Sequence, residues 1–155
     1  MKKEKEMKKM RLFADATKVG LPFIVMPMSE SSGLIMLIDT GSDENVMFGY
    51  AYNELKEIMK EKEGEEETKR YLYGLDGKPS LVNIACGDFS ICGKTYHMDF
   101  LISETGEAGN QLSELMGFPV CGMIGTKFMV EHGWILDFAH QEILIPDVMN
   151  EGKEF

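Results

Sequence analysis

A carboxylate set directly behind an apolar run is the first feature of this sequence that could do chemistry: Leu37-Ile-Asp39-Thr-Gly-Ser42 continues the run that begins Gly33-Leu-Ile-Met36. Asp39 is expected to emerge at the end of a buried strand, where desolvation and neighbouring groups govern its protonation. Gly41 permits a tight turn and close approach of another group. The hydroxyls of Thr40 and Ser42 can lock that turn and hydrogen-bond the carboxylate. Taken alone, the same tripeptide is also an ordinary strand-end turn in which Asp bonds backbone amides.

The other reactive side chains form no comparable pattern. Cys86, Cys92 and Cys121 are odd in number and make no Cys-x-x-Cys pair, so neither a disulfide framework nor a zinc site is expected. His97, His132 and His140 have no ligand-like spacing to each other or to cysteine, and no metal or organic cofactor is expected. The thiols read as buried or idle, with a redox sensor at Cys86 or Cys92 as the lesser alternative. No glycine-rich phosphate loop and no Ser-His-Asp motif is recognisable.

The elements that must position Asp39 follow from periodicity. Phe23-Ile-Val-Met26 and Gly33-Leu-Ile-Met-Leu-Ile38 read as a hairpin whose second strand is buried on both faces. Ala51, Leu55, Ile58 and Met59 recur at helical spacing and predict a helix over 52–62. An acidic run then leads to short strands at 70–73, 81–85 and 89–92, and to clear alternation through Tyr96, Met98, Phe100 and Ile102. A second helix is signalled by Leu112, Leu115 and Met116, a helical turn falls near 127–131, and a last hairpin joins 134–138 to 142–145. Many short strands with two modest helices predict a mainly β, closed barrel.

Length and charge bound the rest. At 155 residues, one domain can bury roughly 70% of the surface its unfolded chain exposes, so no staple is required. The expected organisation is a charged arm at 1–18, a compact domain at 19–147 and a tail at 148–155. With 26 acidic against 16 basic side chains the net charge is -10, which argues against nucleic acid or an anionic membrane as partner. The charged start lacks an apolar core, and no run approaches the ~18 apolar residues of a membrane span. A cytoplasmic protein is the expectation.

Order and spacing sharpen the reading of Asp39. The apolar-apolar-Asp-Thr-Gly-Ser motif is followed by a turn-rich hairpin around Gly74, then by Met123-Ile-Gly125, Phe128-Met-Val130 and Trp134-Ile-Leu-Asp-Phe138. This ordered set resembles the retropepsin-like aspartic proteases, the single-lobe family that includes retroviral proteases. The resemblance spans about 20–146. It implies a closed acid-protease-type barrel with one or two short helices, and an endopeptidase acting on peptide or protein substrates.

Such enzymes use two carboxylates sharing one proton across a water, one as general base and the other as acid. No second Asp-Thr-Gly or Asp-Ser-Gly exists in this chain. The partner carboxylate must come from a second copy, in a homodimer with the site on its two-fold axis. By resemblance, Asp39, Thr40 and Gly41 are the catalytic turn, with Thr40 bracing it against the partner. Ser42, Asp43, Tyr73, Gly74 and Leu75 contact substrate, Ser42 also supports the carboxylate, and the last three belong to a closing flap. Retroviral members commonly carry Arg after the second glycine, whereas this chain has Gly125-Thr126-Lys127. A non-catalytic protein of the same fold, binding peptide or mediating dimerisation, is the alternative.

Overall fold

The structure is a computed structural model and describes residues 7–13, 16–29, 31–62, 70–73, 79–104 and 107–146. In chain order the elements are β1 (Met7–Arg11), α1 (Ala16–Val19), β2 (Phe23–Pro27), β3 (Gly33–Ile38), β4 (Val46–Phe48), α2 (Gly49–Asn53), β5 (Met59–Glu61) and β6 (Arg70–Tyr73). There follow β7 (Pro79–Ile91), β8 (Lys94–Ser103), α3 (Glu107–Met116), β9 (Gly122–Ile124), α4 (Thr126–His132), β10 (Ile135–Asp137) and β11 (Glu142–Pro146). The protein is mainly β. None of the described helices is long and apolar enough to cross a membrane.

The larger sheet runs β2-β3-β9-β4-β8-β7-β5, with β6 added to β7, and curls as a half-barrel. The expected β2–β3 hairpin pairs Phe23 with Leu37 and Met26 with Leu34. Along β3, Met36 and Ile38 enter the main core, while Leu37 faces a second core with Phe23, Val46, Phe48 and Leu101. Both faces are covered because Phe118 and the apolar side of α3 pack on the second core, and Phe118 meets Phe13 and Phe23 edge to face at 5.1 Å. The segments expected as two strands at 81–92 form one strand, β7, whose pairing with β8 runs unbroken from Asn83–Ile102 to Ile91–Lys94. Cys92 and Gly93, both at positive φ, make the two-residue turn between them.

Three expectations change. The helix over 52–62 is replaced by the short α2, a run of turns and β5. Ile58 of the expected apolar stripe is 46% exposed, and Met59, Lys60 and Glu61 pair with Gly87, Cys86 and Ala85. Pairing to the long β7 supplies these backbone groups with partners that a solvent-facing helical turn would have had to supply locally. Among the described residues, four helices stand in place of one or two, since α1 and α2 are barely longer than a turn and carry little periodic signal. Within the expected arm, residues 7–11 form β1 against β11, with Met7 opposite Pro146 and Arg11 opposite Glu142. Its side chains stay largely exposed, as their charge requires, while the backbone pairing carries no mark in the charge pattern. Residues 1–6 and the tail from 147 lie outside the described residues.

Candidate active site

Asp39 follows the last residue of β3, and its position is set by the strand beside it. β9 runs parallel to β3, pairing Met36 with Gly122, Leu37 with Met123 and Ile38 with Ile124. The ladder extends one step further, where the Asp39 N–H donates to the Ile124 carbonyl at 3.0 Å. The chain then reverses, and the Ser42 N–H donates to the Asp39 carbonyl at 3.1 Å. Inside this turn the Gly41 N–H donates to Asp39 Oδ1 at 2.9 Å, which fixes the side chain against the turn's own backbone. The catalytic trio of the sequence reading is thus one turn, with Asp39 half-buried and Thr40 and Gly41 exposed.

The turn is clasped from below by residues that lie 84–86 places later in the chain. Thr126 donates from its N–H to the Ser42 carbonyl at 2.8 Å and from Oγ1 to the Thr40 carbonyl at 2.9 Å, and the Lys127 N–H donates to the Asp43 carbonyl at 3.1 Å. Lys127 Nζ lies 2.5 Å from Glu44 Oε1 and 3.8 Å from Asp43 Oδ2. Asn45, buried, accepts from the Gly125 N–H at 2.9 Å through Oδ1 and donates from Nδ2 to the Asp99 carbonyl at 3.2 Å. The approach is so close that only glycine fits at 125. A Cβ there would lie 2.4 Å from the Glu44 carbonyl oxygen.

Other site residues fall differently. The Ser42 hydroxyl donates to the Glu44 carbonyl at 2.8 Å, so it closes the loop rather than bonding the Asp39 carboxylate. Asp43 is an exposed carboxylate facing Lys127. Tyr73 ends β6, which pairs antiparallel with β7 through Tyr73–Pro79 and Arg70–Val82, as the two arms of a hairpin must. Gly74 and Leu75 lie outside the described residues.

Sequence reasoning missed Asn45 and the bracing roles of Thr126 and Lys127. The available signal was slight: one polar residue opening the apolar run Asn45-Val-Met-Phe48. The thiol alternative gains no electrostatic support. Burial pushes the Cys121 and Cys92 thiols up, away from the reactive thiolate, and all three cysteines are free.

Mainly β architecture with one braced Asp-Thr-Gly turn per chain is the class that fold and site define. Compared with known proteins, the sequence matches no family model and no curated protein.

Proposed function

We propose that this chain is a retropepsin-like aspartic endopeptidase that hydrolyses peptide bonds as a homodimer, with Asp39 of each subunit activating the attacking water. The observation that carries the reading is the clasped Asp39 turn: a half-buried carboxylate held by the Gly41 N–H at the end of a doubly buried strand, on a platform built by 124–127. Rigid presentation of this kind is what a shared-proton pair requires, because two carboxylates about 3 Å apart titrate together only while their separation is maintained.

In this reading one Asp39 is ionised and takes a proton from water while the other, protonated, hydrogen-bonds the scissile carbonyl. In the same reading each subunit's curled sheet belongs to a closed acid-protease-type barrel, with the cleft between the two subunits. Thr40 braces the turn against the partner, and Gly41 offers its backbone to an extended substrate. Ser42 and Asp43 extend that surface. Tyr73, Gly74 and Leu75 close over the peptide as a flap, pairing with its main chain. The chemistry requires no cofactor, and the three free thiols suit a cytoplasmic setting.

Association of two chains of charge -10 calls for an apolar contact. The small sheet β1-β11-β10 offers a mixed face for such a contact, with exposed Met7 and Ile135 beside Lys9, Arg11 and Glu142. Its inner residues Ile143 and Ile145 are buried, while Met7 and Ile135 share the outer face with Leu144, beside the Lys9–Glu142 ion pair at 3.9 Å.

The deciding experiment is a peptide-library digest with wild type and Asp39→Asn. Cleavage by wild type and none by the variant is expected; undiminished cleavage by Asp39→Asn refutes the proposal. If neither protein cleaves and both bind peptide, the non-catalytic alternative takes its place.

A further inference from the structure

We infer that the outer face of the β7–β8 ribbon is a binding site for a zinc-like divalent transition metal, ligated by Cys86, His97 and Asp99. The ladder places Cys86 directly opposite Asp99 and Asp88 directly opposite His97. Alternation along both strands puts these four side chains on one face, while Ala85, Met98 and Phe100 on the other are buried in the core. One ligand atom each of Cys86, His97 and Asp99 lies within 4.8 Å of the other two. Tetrahedral zinc with bonds of about 2.0–2.3 Å holds its ligands roughly 3.3–3.8 Å apart, so closure from within 4.8 Å calls for side-chain shifts of about an ångström.

The donor set selects the metal class. A thiolate with an imidazole and a carboxylate is too soft for magnesium or calcium and suits zinc, with cobalt as its spectroscopic substitute. Three protein ligands leave a fourth position for water. Asp88 supports the assignment independently, because its Oδ1 lies 2.8 Å from His97 Nδ1. A carboxylate on one ring nitrogen fixes the tautomer and makes the other nitrogen the better ligand.

Two cations face the site from the neighbouring strand and its end. Lys60 is the register partner of Cys86, and Lys62 Nζ bonds Asp99 Oδ2 at 2.7 Å, which leaves the second Asp99 oxygen for the metal. Their repulsion moderates affinity, and thiolate formation offsets it. On binding, the Cys86 S–H bond is broken, its proton passes to solvent and a metal–sulfur bond forms, so affinity rises with pH. The site ties β7 to β8 at Asp99, whose own backbone carbonyl accepts the Asn45 hydrogen bond.

A second group, Asp137, His140 and Glu142, supplies the competing outcome. It contains no sulfur, and both Asp137 oxygens already bond His140, from its N–H at 3.1 Å and to Nδ1 at 2.8 Å.

The test is titration of the metal-free full chain with Co2+, followed by absorption, and with Zn2+, followed by calorimetry. One equivalent with a thiolate-to-cobalt charge-transfer band is expected. Cys86→Ser should abolish the band and His97→Gln should prevent stoichiometric binding. Asp88→Ala should weaken binding ~10–100-fold. Cys92→Ser should change nothing. Far-ultraviolet circular dichroism of each metal-free variant establishes that it is folded, and His97→Gln, on an exposed side chain, carries the test should Cys86→Ser not fold. A band that survives in Cys86→Ser, binding abolished only by His140→Gln, or no binding by the wild type overturns the assignment.

Discussion

Asn45 Oδ1 accepts a hydrogen bond from the Gly125 N–H at 2.9 Å, joining two segments eighty residues apart within the buried platform under Asp39. The same side chain donates to the Asp99 carbonyl, so a single amide links the start of β4, the end of β9 and the middle of β8. Replacing it by alanine leaves the Gly125 N–H and the Asp99 carbonyl without this partner. Asn45→Ala should cost about 1–3 kcal/mol in urea unfolding, and Asn45→Asp, which keeps the acceptor but loses the donor, should still be destabilised. A midpoint equal to wild type for both variants contradicts the platform role.

Gly125→Ala tests the closeness of that crossing. The added methyl would lie 2.4 Å from the Glu44 carbonyl oxygen and 2.9 Å from that of Asp43, both backbone atoms that cannot swing aside. Loss of roughly 1–3 kcal/mol is expected, together with reduced cleavage as the Asp39 turn shifts. Gly122→Ala meets the Val46 carbonyl oxygen at 2.1 Å and should be affected similarly.

In the proposed homodimer, activity depends on association. Adding excess Asp39→Asn chains to a fixed amount of wild type should lower cleavage, because mixed dimers hold one proper carboxylate. Raising ionic strength should strengthen the dimer by screening the repulsion between chains of charge -10, read by sedimentation equilibrium. A cleavage rate unaffected by the added variant points to a chain that works alone.

His132 should set part of the acid stability. It packs in an aromatic group with Phe128 at 4.5 Å and Tyr96 at 4.7 Å between centroids, and its Nδ1 is buried with no hydrogen-bond partner among the described residues. Burial holds its pKa below the ordinary 6.5, with Glu131 acting in the opposite sense and Lys94 in the same sense. The unfolded chain therefore binds more protons than the folded one as pH falls below 6.5, and stability drops. His132→Phe should flatten the melting temperature against pH between about pH 7 and 5. An unchanged slope contradicts the assignment.

Much of the architecture was legible because local pattern and tertiary context agree. The alternation through Tyr96, Met98 and Phe100 is the buried face of β8, and the β2–β3 hairpin and the β10–β11 hairpin stand where apolar runs and turn residues put them. Residues 52–62 went the other way. Their apolar spacing is shared by a helix and by the turns that carry Leu55 and Met59 into the core, and the availability of β7 as a partner decided between them. The Cys86, His97 and Asp99 group was illegible for a related reason. Eleven and thirteen positions separate Cys86 from the other two along the chain, and a ribbon register brings them together.

By itself the sequence determined the chemistry on offer: one Asp-Thr-Gly turn behind a doubly apolar strand, with no second such tripeptide among its residues. These properties depend on residue type and on neighbours a few positions away. The tertiary structure alone decided what supports that carboxylate. The parallel pairing of β3 with β9, the Asn45 bridge and the Thr126 clasp are contacts between segments some eighty residues apart. Their geometry depends on how the sheet curls, and no local periodicity encodes that.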